Sequence, residues 1–386
     1  MAEYKVPRVF VEETSFRSRS IEGVSTTTAG FAGPCRSGPI NSPQRISSIP
    51  EFERTFGDGQ PLGFANEKPS INYLWQSVRA FFEQGGKQLY IVRIARPRSV
   101  DYEAGLKAFE DVQDVSIVAA PGSTSNFAMR ADDAVATIRL LIAHAERMKY
   151  RFAILDCGDG QSNSDVRALR GKLDSSFAAL YFPWVRIMDP ISGTEISLPP
   201  SGFVAGIYVR SDIARSVSKA PANEVVALAT GFELSITKEQ QEILNPEGIN
   251  CFRTFPGRGN LLWGARTISS DPQWKYVHLR RYFAYLEQSI DRGTQWAVFE
   301  PNGETLWTNI RQTIESFLFN EWKSGSLLGD RPEKAYFVRC DRTTITQNDL
   351  DNGRLICLIG VAPLKPAEFV IFRIGQWTAD HGERGG

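Results

Sequence analysis

Between residues 71 and 190 the sequence alternates helical spacing with short apolar runs, and no other feature restricts the fold so tightly. Over 71–84, Ile71, Leu74, Trp75, Val78, Phe81 and Phe82 recur at helical intervals, and Gly85-Gly86 supplies a stop. A strand over 87–94 follows, then the run VSIVAAP (115–121), a helix over 131–147 and the run RFAILDC (151–157). A polar helix after Asn163 and a strand FPWVRIMDP ending at Pro190 complete the series. Strands apolar at nearly every position need cover on both faces, which parallel pairs receive from the helices that connect them. The expected fold class is α/β (α+β).

A chain of 386 residues accommodates about two to three ordinary domains. The texture changes near Phe232, where Thr237 followed by Gln240 reads as a capping box for a short helix ending at Asn245-Pro246. A second unit is expected to begin there. Its helices fall over 276–292, with Leu279, Tyr282, Phe283, Leu286 and Ile290 inward, and over 304–324, with Leu306, Ile310, Ile314, Phe317 and Leu318 inward. Gly293 and Gly325 fit as their stops. The remainder reads as helix-free: a strand over 335–341, a turn at Asp351-Asn352-Gly353 and a strand over 354–361. The expected division is an N-terminal arm and linker (1–30), an outer α/β domain (31–232), an inner α+β domain (233–363) and a C-terminal arm (364–386).

Both ends carry strands without a home. The segment YKVPRVFVEE (4–13) holds Pro7, which lacks a backbone donor and suits only an edge or terminal strand, and residues 15–30 have little apolar surface. At the other end Pro363 and Pro366 precede EFVIFRIGQW, where Phe369 and Ile371 point one way while Val370, Phe372 and Ile374 point the other. Both faces of that strand require burial, which its own domain cannot easily give.

The chemistry-bearing residues form no convincing constellation. Forty-four basic residues balance forty-four acidic ones, so no global field draws in nucleic acid or an anionic membrane. The five cysteines are widely spaced without a CxxC pair, which argues against a zinc site or a disulfide framework. His144, His278 and His381 lack company, and Cys157 at a strand end reads as a buried thiol rather than a nucleophile. Asp156, Asp159 and Asp165 could suggest a cation loop but read better as turns. Gly257, Gly259 and Gly264 do not match a dinucleotide fingerprint, and there is no P-loop. Residues 1–7 carry Glu3 and Lys5 and no apolar run, so folding in a cytoplasm is expected. On the helix over 304–324, Arg311, Glu315, Asn320 and Lys323 form either a solvated face or a contact surface.

The last third contains WGART (263–267), WAVFEPN (296–302) with Leu306-Trp307, FVRCD (337–341), and DNGRL followed by IGVAPLKPAEFVIFRI up to Ile374. Together with YKVPRVFVEE, where the family usually has glycine in place of Arg8, and KAPANE (219–224), these stretches resemble the tail sheath proteins of contractile phages and phage-tail-like injection particles. Residues 95–200 show only the general α/β pattern. The resemblance implies a non-enzymatic subunit that polymerises around an inner tube and contracts to drive it through a cell envelope. It implies as partners the chain itself, an inner tail tube protein, and baseplate and tail terminator proteins, with no nucleic acid, direct membrane insertion, cofactor or metal. It further implies arms exchanged between subunits, here Tyr4, Val6, Val9, Val11, Phe369, Ile371, Phe372 and Ile374, and a tube-facing helix bearing Arg311, Glu315 and Lys323. Assembly in a bacterial cytoplasm follows from the same resemblance. An α/β hydrolase-like enzyme and a non-contractile self-assembling shell protein are the alternatives.

Overall fold

The computed structural model describes residues 20–64, 69–369 and 371. The chain forms β1 (Thr28–Pro34), β2 (Gln44–Ile46), α1 (Ile49–Phe56) and α2 (Tyr73–Glu83), then β3 (Gln88–Ile94), α3 (Ser99–Ala108), β4 (Ile117–Ala119), α4 (Phe127–Met148), β5 (Phe152–Asp156), α5 (Asn163–Arg170) and β6 (Ala178–Phe182). It continues through β7 (Val185–Met188), β8 (Glu195–Leu198), α6 (Ser201–Ala214), β9 (Glu224–Val225), β10 (Ala229–Phe232), α7 (Lys238–Leu244), β11 (Ile249–Phe255) and β12 (Gly259–Leu262). The last elements are α8 (Val277–Thr294), α9 (Glu304–Lys323), α10 (Pro332–Ala335), β13 (Tyr336–Arg339), α11 (Gln347–Asp351) and β14 (Leu358–Val361).

Among the described residues, nine strands form one sheet in the order β2-β3-β1-β4-β5-β6-β11-β12-β9, parallel from β3 through β11. One face packs Ala29 and Phe31 of β1 against α1, α2 and α6; the other packs Ala32 against α3 and α4. The layered α/β expectation therefore holds. A separate three-stranded sheet, β10-β7-β8, extends the first core, and α8, α9 and the antiparallel pair β13–β14 enclose a third.

Several local expectations change, each for a physical reason. The linker drawn through Gly30 runs into β1, the strand between β3 and β4; its small residues, TAGFAG, read as polar spacer yet pack beneath Phe109 and Val115. The run FPWVRIMDP is two strands in two sheets, because Pro183 offers no N–H to continue the ladder after Phe182. Helix α6 gave no sequence signal, since a helix buried on nearly every side has no polar stripe to reveal its period. It lies so close to α2 that a Cβ on Gly206 would stand 2.5 Å from the Phe81 carbonyl oxygen. The boundary at 232/233 does not coincide with a change of sheet: the Thr237–Gln240 capping box is present, but β11 pairs with β6 inside the large sheet.

In the last third, α9 buries Leu306, Ile310, Ile314, Phe317 and Leu318 as expected, together with Trp307. Phe283 and Ile290 of α8 are only half-buried. Gly293 does not stop α8 but lies within it, where a Cβ would meet the Ile21 side chain at 2.5 Å. The region after 325 is not helix-free, because Thr346 and Asp349 build a capping box that starts α11.

Candidate assembly surface

Helix α8 receives both terminal segments. On the N-terminal side Ile21 packs over Gly293, the Val24 N–H donates to Ser289 Oγ at 3.0 Å, and Gly23 lies against the Tyr285 ring. Next along the chain, Thr26 Oγ1 donates to Asp212 Oδ2 at 2.6 Å, and Arg281 of α8 grips the same carboxylate through Nη1 at 3.0 Å and Nη2 at 2.7 Å. Asp212 belongs to α6, so this buried cluster joins the N-terminal segment, the sheet-bearing part and the helical part of the molecule.

The C-terminal segment is held on the other end of α8. Burial pushes His278 down to about 4, and the neutral ring can donate Nε2–H to the Leu364 carbonyl at 3.2 Å. Four residues later a single carboxylate gathers the surroundings. Glu368 accepts from Arg266 Nε and Nη2, both at 2.7 Å, from Asn245 Nδ2 at 2.8 Å and from the Tyr276 hydroxyl at 2.9 Å, with Lys275 Nζ at 3.6 Å. Burial opposes the charge of Glu368, but these hydrogen bonds prevail and hold its pKa at about 2. Beyond this clamp Phe369 and Ile371 are 72% and 80% exposed. Tyr4, Val6, Val9, Val11, Phe372 and Ile374 lie outside the described residues, as does His381.

The β13–β14 pair turns Val338 inward, while Phe337 and Leu358 on its outer face are about half exposed. A two-stranded sheet is marginal by itself and leaves unpaired backbone groups along its edges. Beside it, α9 is fastened to α8 by Glu321, which accepts from Tyr282 at 3.0 Å and Tyr285 at 2.9 Å. The three charges singled out on α9 do not share one open face. Arg311 and Glu315 are half-buried on the flank near Cys340 and Cys357, whereas Lys323 is exposed. The open face carries Thr305, Asn309, Gln312, Ser316 and Asn320.

The candidate catalytic and metal residues are structurally occupied. His144 is buried against Arg151, which stands 2.7 Å from its Nε2, and burial drives its pKa to about 3. Burial raises the Cys157 thiol well above its ordinary value. Asp156, pushed up to about 7 by burial, accepts from the Ser201 N–H and hydroxyl at the start of α6. Asp159 accepts from the N–H groups of Asn126 and Phe127 at the start of α4, and Asp165 closes the capping box of α5. The three carboxylates thus serve three helix N-termini instead of converging. Gly257 and Gly259 take positive φ in the β11–β12 turn, and Gly264 lies against Asn250.

Residues 96–268 match the phage tail sheath protein central domain, and residues 269–376 match the phage tail sheath C-terminal domain. The sheath complex of an extracellular contractile injection system (PVC), solved in the contracted state, superposes over 100% of both chains with a TM-score of 0.79 and 30% identity. The chain belongs to the contractile tail sheath family. The helical sheath of the anti-feeding prophage in its contracted state gives the same TM-score and identity over 97% of this chain and 100% of that one. Among relatives, a putative prophage major tail sheath protein of Pseudomonas aeruginosa is 24% identical over 68% of this chain and 66% of its own length. The tail sheath protein of Enterobacteria phage T4 is 24% identical over 51% of this chain but only 30% of its own length. The chain is thus homologous to structural components of phage tails and phage-tail-like particles. The junction between the two matched domains falls at 268/269, beside Arg266 and short of Tyr276, so the Glu368 clamp draws on both.

Proposed function

We propose that this chain is the structural subunit of a contractile sheath, polymerising with copies of itself around an inner tube and shortening to drive that tube through a target envelope. The arms act as added strands, and the β13–β14 pair of a neighbour is their acceptor. The observation that carries this reading is a match in supply and demand: each chain exposes Phe369 and Ile371 past a rigid anchor, and each offers a two-stranded sheet with an uncovered face at Phe337 and Leu358. Main-chain pairing of this kind survives rigid-body shifts that would break side-chain contacts, as a lattice that slides must allow. Energy stored at assembly then drives contraction without a nucleotide. Removing residues 1–13, or residues 369–386 so that Glu368 stays in place, should leave a folded monomer that forms no tubes by electron microscopy. Normal contractile tubes from either truncation would overturn the arm mechanism.

The inner tube protein is the second partner, met by the open face of α9, with baseplate and terminator proteins at the sheath ends and assembly in a bacterial cytoplasm. Of the three charges, Lys323 has the access to contact an acidic tube group, while Arg311 and Glu315 support the flank. An exposed pair contributes about 0–1 kcal/mol, so its effect accumulates through repetition along the tube. Lys323→Glu should lower the yield of sheath co-sedimenting with tube, most at low salt, while the monomer melts as before. An unchanged yield would remove Lys323 from the tube contact.

A further inference from the structure

We propose that Cys340 and Cys357 form a dithiol–disulfide pair that staples the β13–β14 hairpin when the chain meets a thiol-oxidising medium. The strand register runs Tyr336↔Val361, Phe337↔Gly360, Val338↔Ile359 and Arg339↔Leu358, so the next cross-strand neighbours are Cys340 and Cys357. The Ala362 N–H donates to the Ala335 carbonyl at 2.8 Å, which makes 335 and 362 a hydrogen-bonded pair. Pairs alternate along an antiparallel ladder, and counting along it puts 340 and 357 at a non-hydrogen-bonded position. At such a position of a regular ladder the Cα atoms stand about 4.5 Å apart, within the roughly 4.4–6.8 Å that a disulfide spans. Both side chains belong to the same apolar cluster, on the face of the pair that Val338 turns inward. The connecting loop is itself tied in place, since Thr344 Oγ1 donates to the Ile356 carbonyl at 3.0 Å.

The other three cysteines are built differently. Cys35, Cys157 and Cys251 are buried, and burial raises each thiol, to about 12 for Cys35 and Cys251. Cys340 moves the opposite way: the neighbouring Cys357 thiol and the nearby Arg311 guanidinium favour its thiolate, against the opposing effect of burial. The first proton therefore leaves this pair more readily than it leaves an ordinary thiol, and the second less readily. The favoured thiolate is Cys340, but a proton can pass between the two adjacent sulfurs, and access then decides the order of attack. Half-exposed Cys357 attacks a small-molecule disulfide such as oxidised glutathione, forming a mixed disulfide and releasing one glutathione thiolate. Buried Cys340 then attacks the Cys357 sulfur and releases the second glutathione. Two protein thiols are oxidised, and one glutathione disulfide is reduced to two thiols. This gives half-buried Arg311 a use apart from the tube.

The test is oxidation of the reduced full-length chain with oxidised glutathione at pH 8, followed by thiol counting and peptide mapping without reductant. Loss of two of the five thiols with one linked peptide joining Cys340 to Cys357 is expected, accompanied by a melting temperature higher by about 5 °C. Cys357→Ser, which nearly keeps the side-chain volume, should give neither the link nor the shift. Persistent glutathione adducts without a link, a link to any other cysteine, or five unreacted thiols would each overturn the proposal. The chemistry stands apart from the assembly reading, since a linked monomer that forms no sheath would leave the pair intact and count only against the arms.

Discussion

Replacing Asp212 with asparagine should destabilise the folded chain by about 3–5 kcal/mol, the range for removing one partner of a buried ion pair. The side chains of Asp212 and Arg281 are only 2% and 3% exposed. The substitution keeps the shape at 212 and one acceptor oxygen but leaves the guanidinium without a countercharge, with neutral contacts to the Thr26 carbonyl at 3.0 Å and the face of Tyr208. The change also weakens the acceptor for Thr26 Oγ1, so the N-terminal segment loosens together with the contact between α6 and α8. Urea denaturation at unchanged m-value should report the loss as a lower midpoint. The double variant Asp212→Asn/Arg281→Met should recover much of it, because no buried charge is then stranded. A loss below about 1 kcal/mol in the single variant would mean that solvent relaxes into the site and that the pair does not join the two parts.

What could be read from the chain divides along the line between local and non-local information. The apolar runs of β3, β4 and β5 and the stripe of α9 announce themselves because each writes a period into consecutive residues. Helix α6 does not, since buried Phe203, Val204, Ile207 and Tyr208 surround its axis. β1 does not either, because close packing beneath Phe109 selected small residues that otherwise mark spacers. The candidate site follows the same rule. WGART and PAEFV stood out as stretches, yet nothing local says that Arg266 grips Glu368 across 102 positions. Cys340 and Cys357 looked unrelated, because only the strand register makes them neighbours.

Replacing Glu368 with glutamine should release the root of the C-terminal arm while leaving the rest of the chain folded. The Glu368 side chain is 20% exposed, so its contacts are only partly screened. Its folded pKa of about 2 lies below the ordinary 4.5, a shift worth about 3 kcal/mol, or about 2–3 kcal/mol once solvent screening of this partly exposed group is discounted, in favour of the ionised, docked form. A depressed carboxylate pKa contributes stability that is fully present above the unfolded value. That stability is lost as the pH falls from about 4.5 through about 2, so the clamp is at full strength at neutral and mildly acidic pH. Glutamine keeps one acceptor for Asn245 or Tyr276 but cannot match the bidentate Arg266 contact, and it adds a donor facing Arg266 and Lys275. Hydrogen exchange should show the difference near the Ala362 amide and onward to residue 369, with protection about 30- to 100-fold lower in the variant at pH 7. The unchanged chain should lose the same protection only below about pH 4.5, after correction for intrinsic exchange. An arm that starts from a floating root also searches a larger volume for its acceptor, so the concentration needed for polymerisation should rise without any change in the arm itself. Equal protection in the two proteins at pH 7 would mean that Leu364 and its hydrogen bond to His278 already hold the root, with the Glu368 clamp redundant.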